Sequence, residues 1–316
     1  MPAVVVMAVI AIGCVQAAAW LAAARWPRRS PVVAIVLWQA IGLGWGLAAV
    51  GTLLGLAASR QRYGVAGDAL AQVARFLRSP GTFSGWTVLA TARLAALTAG
   101  LVLLTLLCWV LLAAATAGLR ARQRQRLLLS LLAHGDPKVP GALVVDHPVA
   151  AAYCLPGLRS AIVISAGTLD LLDARELAAV LAHERAHLRE RHDLVLLPFV
   201  ALLRAFRWSR AAREAHRAVA LLIEMHADDR ARRHRPAREL ATALLRVGAA
   251  GGGHAPSGAL SAVDTAMDDD VDGEVAARVS RLLRPAPGLP VPVLVLIGIA
   301  AAVAVAVPAA LLVVPF

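Results

Sequence analysis

Two histidines and a glutamate stand at a spacing that suits metal chemistry. His183, Glu184 and His187 form the pattern His-Glu-x-x-His. Residues four apart lie on one face of a helix, so both imidazoles can reach a single ion, and Glu184 lies beside that ion. From there its carboxylate can accept a proton from water. The pattern predicts a zinc site with His183 and His187 as ligands and Glu184 as the catalytic base.

A catalytic zinc ion needs a third protein ligand and an open position for water. Glu224 and Asp228 are four residues apart on a second predicted helix and share a face. We predict Glu224 as the third ligand and Asp228 as the acceptor that fixes the ring N–H of a zinc-bound histidine. We discount Asp193, because the helix former Glu190 stands where a glycine would have to break the helix and let the chain turn back. The remaining candidates for the third ligand are His226, Asp229, His216 and Glu214.

Other polar residues near these helices are candidates for further roles. His216, His226 and Arg230 are the alternatives for the group that stabilises the oxyanion. We expect Asp229 to lie on a solvated helical face. We expect Cys154 to pack rather than react. The three cysteines form no Cys-x-x-Cys pair, which argues against a cysteine-based zinc site.

The elements that must position the histidines can be read around them. Asp173, followed three residues later by Glu176, has the spacing of a capping box and predicts a helix that runs to about His192. Two short apolar runs bounded by Gly, Pro and Asp predict strands at Ala142–Val145 and Ala161–Ser165. The other predicted elements are a helical turn at Thr168–Leu172, a buried or interfacial segment at Leu194–Leu203, and helices at Ser209–Arg233 and Ala237–Val247.

The composition places much of the chain in lipid. Of its 316 residues, 59% are hydrophobic and 16% are charged, whereas a soluble domain is about 25% charged. This excludes a simple soluble globule and a disordered chain. Four stretches are long enough to cross the hydrocarbon core. They are Ala3–Ala24, Val32–Ala58, Ala95–Leu119 and Val293–Val314.

Arginine counts set the expected orientation. Ten arginines flank the spans on the side of residues 120–288, against five in the loop at about 59–94 on the other side. We therefore expect residues 120–288 to form a cytoplasmic domain between spans at 1–119 and 289–316. We further expect an amphipathic helix at Asp68–Ser79, a flexible link at Gly248–Gly258 and an acidic loop at Asp264–Glu274. The net charge of +12 is explained by these flanking arginines, so the bilayer is the expected partner and nucleic acid is not.

The motifs together resemble membrane-embedded metallopeptidases. The resemblance covers roughly residues 140–285 and rests on Ala152–Gly157, Ala161–Ser165, Glu176–Glu184, Glu224-x-x-Ala227-Asp228 and Arg278–Leu283. It is closer to the BlaR/MecR type of antibiotic-sensing transducer than to the related HtpX and CAAX-endopeptidase type. The resemblance implies a gluzincin-like zinc peptidase domain of α+β type with a small sheet, in a mainly α membrane protein of about four spans. It also implies zinc ligands matching His183, His187 and Glu224, and a catalytic glutamate matching Glu184.

The expected function is zinc-dependent endoproteolysis of a protein or peptide at the membrane. The substrate could be a regulatory repressor protein in signalling. The alternatives are housekeeping quality control of membrane proteins, and a non-catalytic membrane sensor or scaffold, which the intact Glu184 disfavours. We expect an extended substrate to pair with a sheet edge near Ala151–Leu155, where Tyr153 either lines the groove or packs inside the domain. The sequence does not predict the oligomeric state.

Overall fold

The computed structural model describes residues 2–57, 88–137, 139–157, 160–250 and 271–313, with single positions between 65 and 78. The chain divides into two compact units. The first comprises Met1–Val110, Ala205–Ala215 and Leu289–Phe316, and the second comprises Leu111–Arg204 and His216–Gly288. The predicted elements at Asp68–Ser79, Gly248–Gly258 and Asp264–Glu274 lie wholly or largely outside the described residues.

Four helices are long and apolar enough to cross a membrane. They are α1 (Pro2–Ala23), α2 (Pro31–Ala57), α3 (Val88–Leu132) and α10 (Val291–Val313). A short 3-10 turn at Trp26–Arg29 separates α1 from α2. The four predicted spans are confirmed as helices, and three of them match within two residues. The third is longer than predicted, because the arginine-rich stretch after Leu119 continues the same helix to Leu132.

Helix contacts in the first unit depend on small residues. Gly44 of α2 packs directly against the backbone of Ala304 in α10, and Gly51 of α2 lies against Met7 of α1. Small residues let helix backbones approach closely where lipid supplies no hydrophobic driving force between them. A cluster around Met7, Val50 and Leu54 fills the space beside these contacts.

The second unit contains a four-stranded mixed sheet in the order β1-β2-β4-β3. Its strands are β1 (Ala133–Gly135), β2 (Ala142–Val145), β3 (Ala152–Leu155) and β4 (Ala161–Ser165). Both predicted strands, β2 and β4, are confirmed, and they pair in parallel. Strand β1 was not predicted, whereas β3 coincides with the sheet edge expected near Ala151–Leu155, and both strands pair antiparallel to their neighbours. Strand β3 forms one edge of this sheet.

In the described part of the chain between the sheet and α10 there are six helices. They are α4 (Ala166–Leu171), α5 (Ala174–Arg189), α6 (His192–Ala205), α7 (Arg210–Ala231), α8 (Ala237–Ala249) and α9 (Val271–Leu283). Helices α4, α5, α7 and α8 follow the predicted helical segments. Helix α9 was not predicted, and its first turn overlaps the acidic loop expected at Asp264–Glu274. The apolar run after His192 is helical despite the internal Pro198.

Helix α5 begins as predicted but ends earlier. The Asp173 side chain accepts hydrogen bonds from the first turn and the Glu176 side chain accepts one from the Asp173 backbone, which completes the capping box. The prediction that this helix runs to about His192 is wrong by three residues. Arg191 adopts a left-handed backbone with φ of 50°, which ends the helix and starts α6 in a new direction.

The apolar face of α5 anchors it to the rest of the unit. Leu177, Val180 and Leu181 pack with strands β2 and β4 in one buried cluster. A second cluster joins Ala179 of α5 to apolar residues of α7, α8 and α9. Burial of one leucine side chain stabilises a fold by about 1.5–3 kcal/mol, so these contacts fix α5 in place. The opposite face of α5 carries the polar residues of the site.

Candidate metal centre

Helix α5 presents His183 and His187 on one face. Their Nε2 atoms lie 3.1 Å apart, and the two residues are 2% and 3% exposed. The Nε2 atoms of the two imidazoles approach each other closely, as expected for residues one helical turn apart. The structure therefore brings these two predicted ligands together.

Helix α7 adds Glu224 to the pair. Its Oε2 lies 3.2 Å from His183 Nε2, and its Oε1 lies 3.5 Å from His187 Nε2. One ligand atom from each of the three residues falls within 4.8 Å of the others. The rival candidate Glu214 is instead paired with Arg210 on the exposed surface of the same helix. Among the described residues, His183, His187 and Glu224 form the one cluster of this kind.

Asp228 lies where the sequence analysis expects it. Its Oδ1 is 3.0 Å from Nδ1 of His183, on the ring nitrogen that does not face the other ligands. Burial opposes a positive charge on His183, but the carboxylates of Asp228 and Glu224 outweigh it and raise the His183 pKa to about 9. Burial likewise disfavours the Asp228 carboxylate, but Arg278 and His183 hold its pKa below the usual range.

Glu184 is buried next to the histidines. It is 4% exposed, and its Oε2 has no hydrogen-bond partner among the described residues. Burial, reinforced by the nearby carboxylates of Glu184 and Glu224, raises the pKa of the Cys154 thiol of strand β3. Cys154 is thus a packed, protonated neighbour of the candidate base, consistent with the expectation that it does not react.

The sequence analysis missed Arg278 as a site residue. Its guanidinium donates from Nε and Nη2 to the two carboxylate oxygens of Asp228, over 2.9 and 2.8 Å. Its Nη1 lies 3.1 Å from Oε2 of Glu224. Arg278 belongs to α9, 50 residues beyond Asp228, and no fixed spacing links the two helices. The one feature that could have indicated such a residue is the buried carboxylate of Asp228, because a buried charge requires a cationic partner.

His192 is the second residue that the sequence analysis did not assign to the site. Its Nδ1 lies 2.9 Å from Nδ1 of His187, and the left-handed backbone of Arg191 turns it toward that ring. Burial, and next the neighbouring His187, lower the His192 pKa to about 3. His192 is therefore a neutral partner for the second predicted ligand.

The remaining acidic candidates have other partners. Asp193 forms a buried ion pair with Arg122 of α3 at 2.9 Å, which fits its predicted role outside the ligand set. The expectation of a solvated Asp229 is wrong, because Arg281 of α9 donates to both of its carboxylate oxygens. These ion pairs tie α6 to α3 and α7 to α9.

The three candidates for oxyanion stabilisation are also placed. Arg230 is paired with Glu190, and His226 Nε2 lies 3.9 Å from the same carboxylate. His216 is buried at 4% exposure. None of these observations selects one of them for that role.

The donor set suits a divalent zinc ion. The cluster offers two imidazole nitrogens and one carboxylate oxygen, a three-ligand set that leaves a position for water. The other ring nitrogen of each histidine is hydrogen-bonded or ion-paired, which holds the ring in place. The unpartnered Glu184 Oε2 beside it provides a base. The residues present therefore fit the metal that the sequence motif predicts.

Comparison with known proteins supports a peptidase. Residues 118–228 match the family model of peptidase family M48. The match contains the three clustered residues and Glu184, and covers about a third of the 316 residues. The comparisons with curated proteins and with solved structures gave no match. The family match and the His-His-Glu cluster support a metallopeptidase of family M48.

Proposed function

We propose that this chain is a membrane-bound, zinc-dependent endopeptidase. His183, His187 and Glu224 hold the zinc ion, Glu184 is the catalytic base, and Asp228 orients His183. The observation that carries the proposal is the convergence of His183, His187 and Glu224 within 4.8 Å, with the buried carboxylate of Glu184 next to them. The match to family M48 supports the same chemistry.

The chain's own residues account for the proton movements of peptide hydrolysis. When bound, zinc supplies Lewis acidity, which polarises the scissile carbonyl and lowers the pKa of water toward about 7. Glu184 Oε2 accepts the proton of the attacking water and then delivers it to the nitrogen of the leaving amine. Its lack of a partner among the described residues leaves this oxygen available for the transfer.

The edge strand β3 is the proposed docking place for the substrate backbone. It pairs with β4 along one side, and the opposite side faces no other strand of the described sheet. The carboxylate of Glu184 is close enough to Cys154 of β3 to raise the pKa of its thiol, so this edge lies near the candidate base. An extended protein segment that adds a strand here gains main-chain hydrogen bonds with little demand on sequence.

The proposed substrate is a regulatory protein on the cytoplasmic side, such as a repressor. The arginine asymmetry around the four apolar helices supports a cytoplasmic peptidase region at 120–288. A cysteine placed at the exposed Arg185, in a chain whose natural cysteines are replaced by alanine, tests the orientation. It should react with a membrane-impermeant maleimide only after lysis, and labelling in intact cells would contradict the cytoplasmic assignment.

Zinc content and proteomics test the activity. The purified chain should hold about one zinc ion, and Glu184→Gln should retain that zinc while cleavage falls by about 10²–10⁴-fold. Proteins that are cleaved in cells with the wild type but not with Glu184→Gln are the substrates. A single DNA-binding protein among them supports the regulatory role, whereas a broad set of membrane proteins contradicts it. A folded chain without zinc would refute the site.

A further inference from the structure

Two arginines of α9 hold the part of α7 that carries the third predicted ligand. Arg278 and Arg281 are three residues apart, so they lie on neighbouring positions of one helix face. Both form ion pairs with carboxylates of the turn that contains Glu224 and Asp228. The two arginines therefore make equivalent links between the same two helices.

Their partners, however, differ in one respect. Arg281 donates to Asp229, at 2.9 and 2.6 Å, and to the backbone carbonyl of Met225, at 3.3 Å. Arg278 binds Asp228, which contacts His183, and also places Nη1 3.1 Å from Oε2 of Glu224. Arg278 is 4% exposed. Arg278 thus places a guanidinium nitrogen against a predicted metal ligand, Glu224, whereas the carboxylate that Arg281 binds is that of Asp229.

We propose that Arg278 is a positioning residue of the metal centre, which holds the Glu224 carboxylate against the two imidazoles while it anchors Asp228 behind His183. This inference rests on the proposed zinc site. The fork of the guanidinium matches the task, because its donors have fixed directions and can bind two carboxylates at once.

Charge supports the same assignment. The buried Glu184 and Asp228 and the partly exposed Glu224 bring three carboxylates to the surroundings of the two histidines. One guanidinium and one divalent cation carry the three positive charges that balance them. Without Arg278, Asp228 and Glu224 would repel each other in a low-dielectric site and would be free to turn away from the histidines. Arg278 lies outside residues 118–228, so the family match does not include it.

Zinc affinity of the full chain in detergent tests the proposal, with Arg281 as the matched control. Zn²⁺ is titrated against a chromophoric chelator for the wild type, Arg278→Gln and Arg281→Gln. We expect Arg278→Gln to weaken zinc binding by about 10–100-fold, as for other groups that orient metal ligands. We expect Arg281→Gln to change it by less than about threefold, because that variant removes an equivalent helix link to Asp229, which is not a predicted ligand.

A conservative pair keeps the test decisive if Arg278→Gln does not fold. Arg278→Lys retains the charge but cannot bind Asp228 and Glu224 together, whereas Arg281→Lys makes the same exchange away from the ligand. Both are loaded with Co²⁺, whose visible absorption reports ligand geometry. We expect a changed spectrum for Arg278→Lys and a wild-type spectrum for Arg281→Lys.

The outcomes separate this inference from the proposed function. A wild-type chain that binds no zinc overturns both. A wild type that binds zinc while Arg278→Gln binds it equally well overturns the role of Arg278 alone. Equal losses in the Arg278→Gln and Arg281→Gln variants, or an unchanged Co²⁺ spectrum for Arg278→Lys, would show that the arginines act only as helix links and would also overturn the proposal.

Discussion

Nδ1 of His192 lies 2.9 Å from Nδ1 of His187. Only one of these two nitrogens can carry a hydrogen in a hydrogen bond between neutral rings. If His187 uses Nε2 toward a metal, its Nδ1 carries the hydrogen and donates, and His192 Nδ1 accepts. The lowered pKa of His192, about 3 and caused first by burial, keeps it in the neutral form that can accept. The pair fixes the tautomer of the second predicted ligand.

Replacement of His192 by phenylalanine should weaken zinc binding by about tenfold or more. Phenylalanine keeps the ring volume and removes the acceptor, so the change reports the hydrogen bond rather than the packing. Chelator competition measures the affinity. His234→Phe, at an exposed histidine beyond the end of α7, is the control and should bind zinc like the wild type. Wild-type affinity in His192→Phe would contradict the assignment.

Local patterns predicted helix α5 and its pair of histidines well. The capping box at Asp173, the apolar positions of α5 and the one-turn spacing of His183 and His187 all depend on residues within one helix. Strands β2 and β4 were found for a similar reason, since each is a short apolar run between turn residues. In these cases a few consecutive residues determine both the helix or strand and the placement of its side chains.

The residues that sequence reasoning missed depend on tertiary structure. Arg278 reaches the site from a helix 50 residues away from Asp228, and helix packing rather than spacing brings it there. His192 faces His187 because Arg191 adopts a positive φ, which is uncommon for arginine and has no clear sequence signal. Strand β1 has only three residues, Ala133–Gly135, and is defined by its pairing with β2, so its own composition gave no strand signal.

Replacement of Glu224 by alanine should abolish stoichiometric zinc binding. The variant leaves two imidazoles, which is fewer than the three protein ligands of a catalytic zinc site. Zinc content after dialysis, measured by atomic emission, checks this. Glu214→Ala removes an acid from the same helix that is paired with Arg210 on the surface, and it should retain about one zinc per chain. Full retention in Glu224→Ala would assign the third ligand to another residue.

Zinc binding should release a proton from His183 below pH 9. Burial opposes protonation, but Asp228 and Glu224 raise the pKa of this imidazole to about 9, against the reduction caused by Arg278. A histidine ligand must be neutral, so zinc displaces the proton wherever the ring is protonated. The apparent association constant should therefore rise about tenfold per pH unit from about pH 6.5 to 9 and then level off. Chelator competition across this range measures the slope.

The same pKa predicts the opposite trend for stability after zinc is removed by a chelator. The folded-state pKa of about 9 exceeds the value of about 6.5 for an unfolded histidine. Protonation of His183 thus stabilises the fold fully below pH 6.5, and this contribution is lost as the pH rises toward 9. Thermal unfolding should show a falling midpoint over that window. Asp228→Asn should shift both curves to lower pH, and a zinc affinity independent of pH would contradict the assignment.

In the unit that contains α2 and α10, Gly44 should tolerate substitution far less than Gly42. A Cβ atom added at Gly44 would collide with the backbone carbonyl of Ala304 in α10, whereas one added at Gly42 meets nothing within 4 Å among the described residues. Both glycines lie inside α2, so alanine improves helix propensity equally at each and the difference isolates the packing. Overpacking of this kind costs about 1–3 kcal/mol. Gly44→Ala should therefore unfold at a lower temperature in detergent than Gly42→Ala, because a backbone carbonyl cannot move aside as a side chain does. Equal midpoints for the two variants would mean that α2 and α10 do not pack this closely.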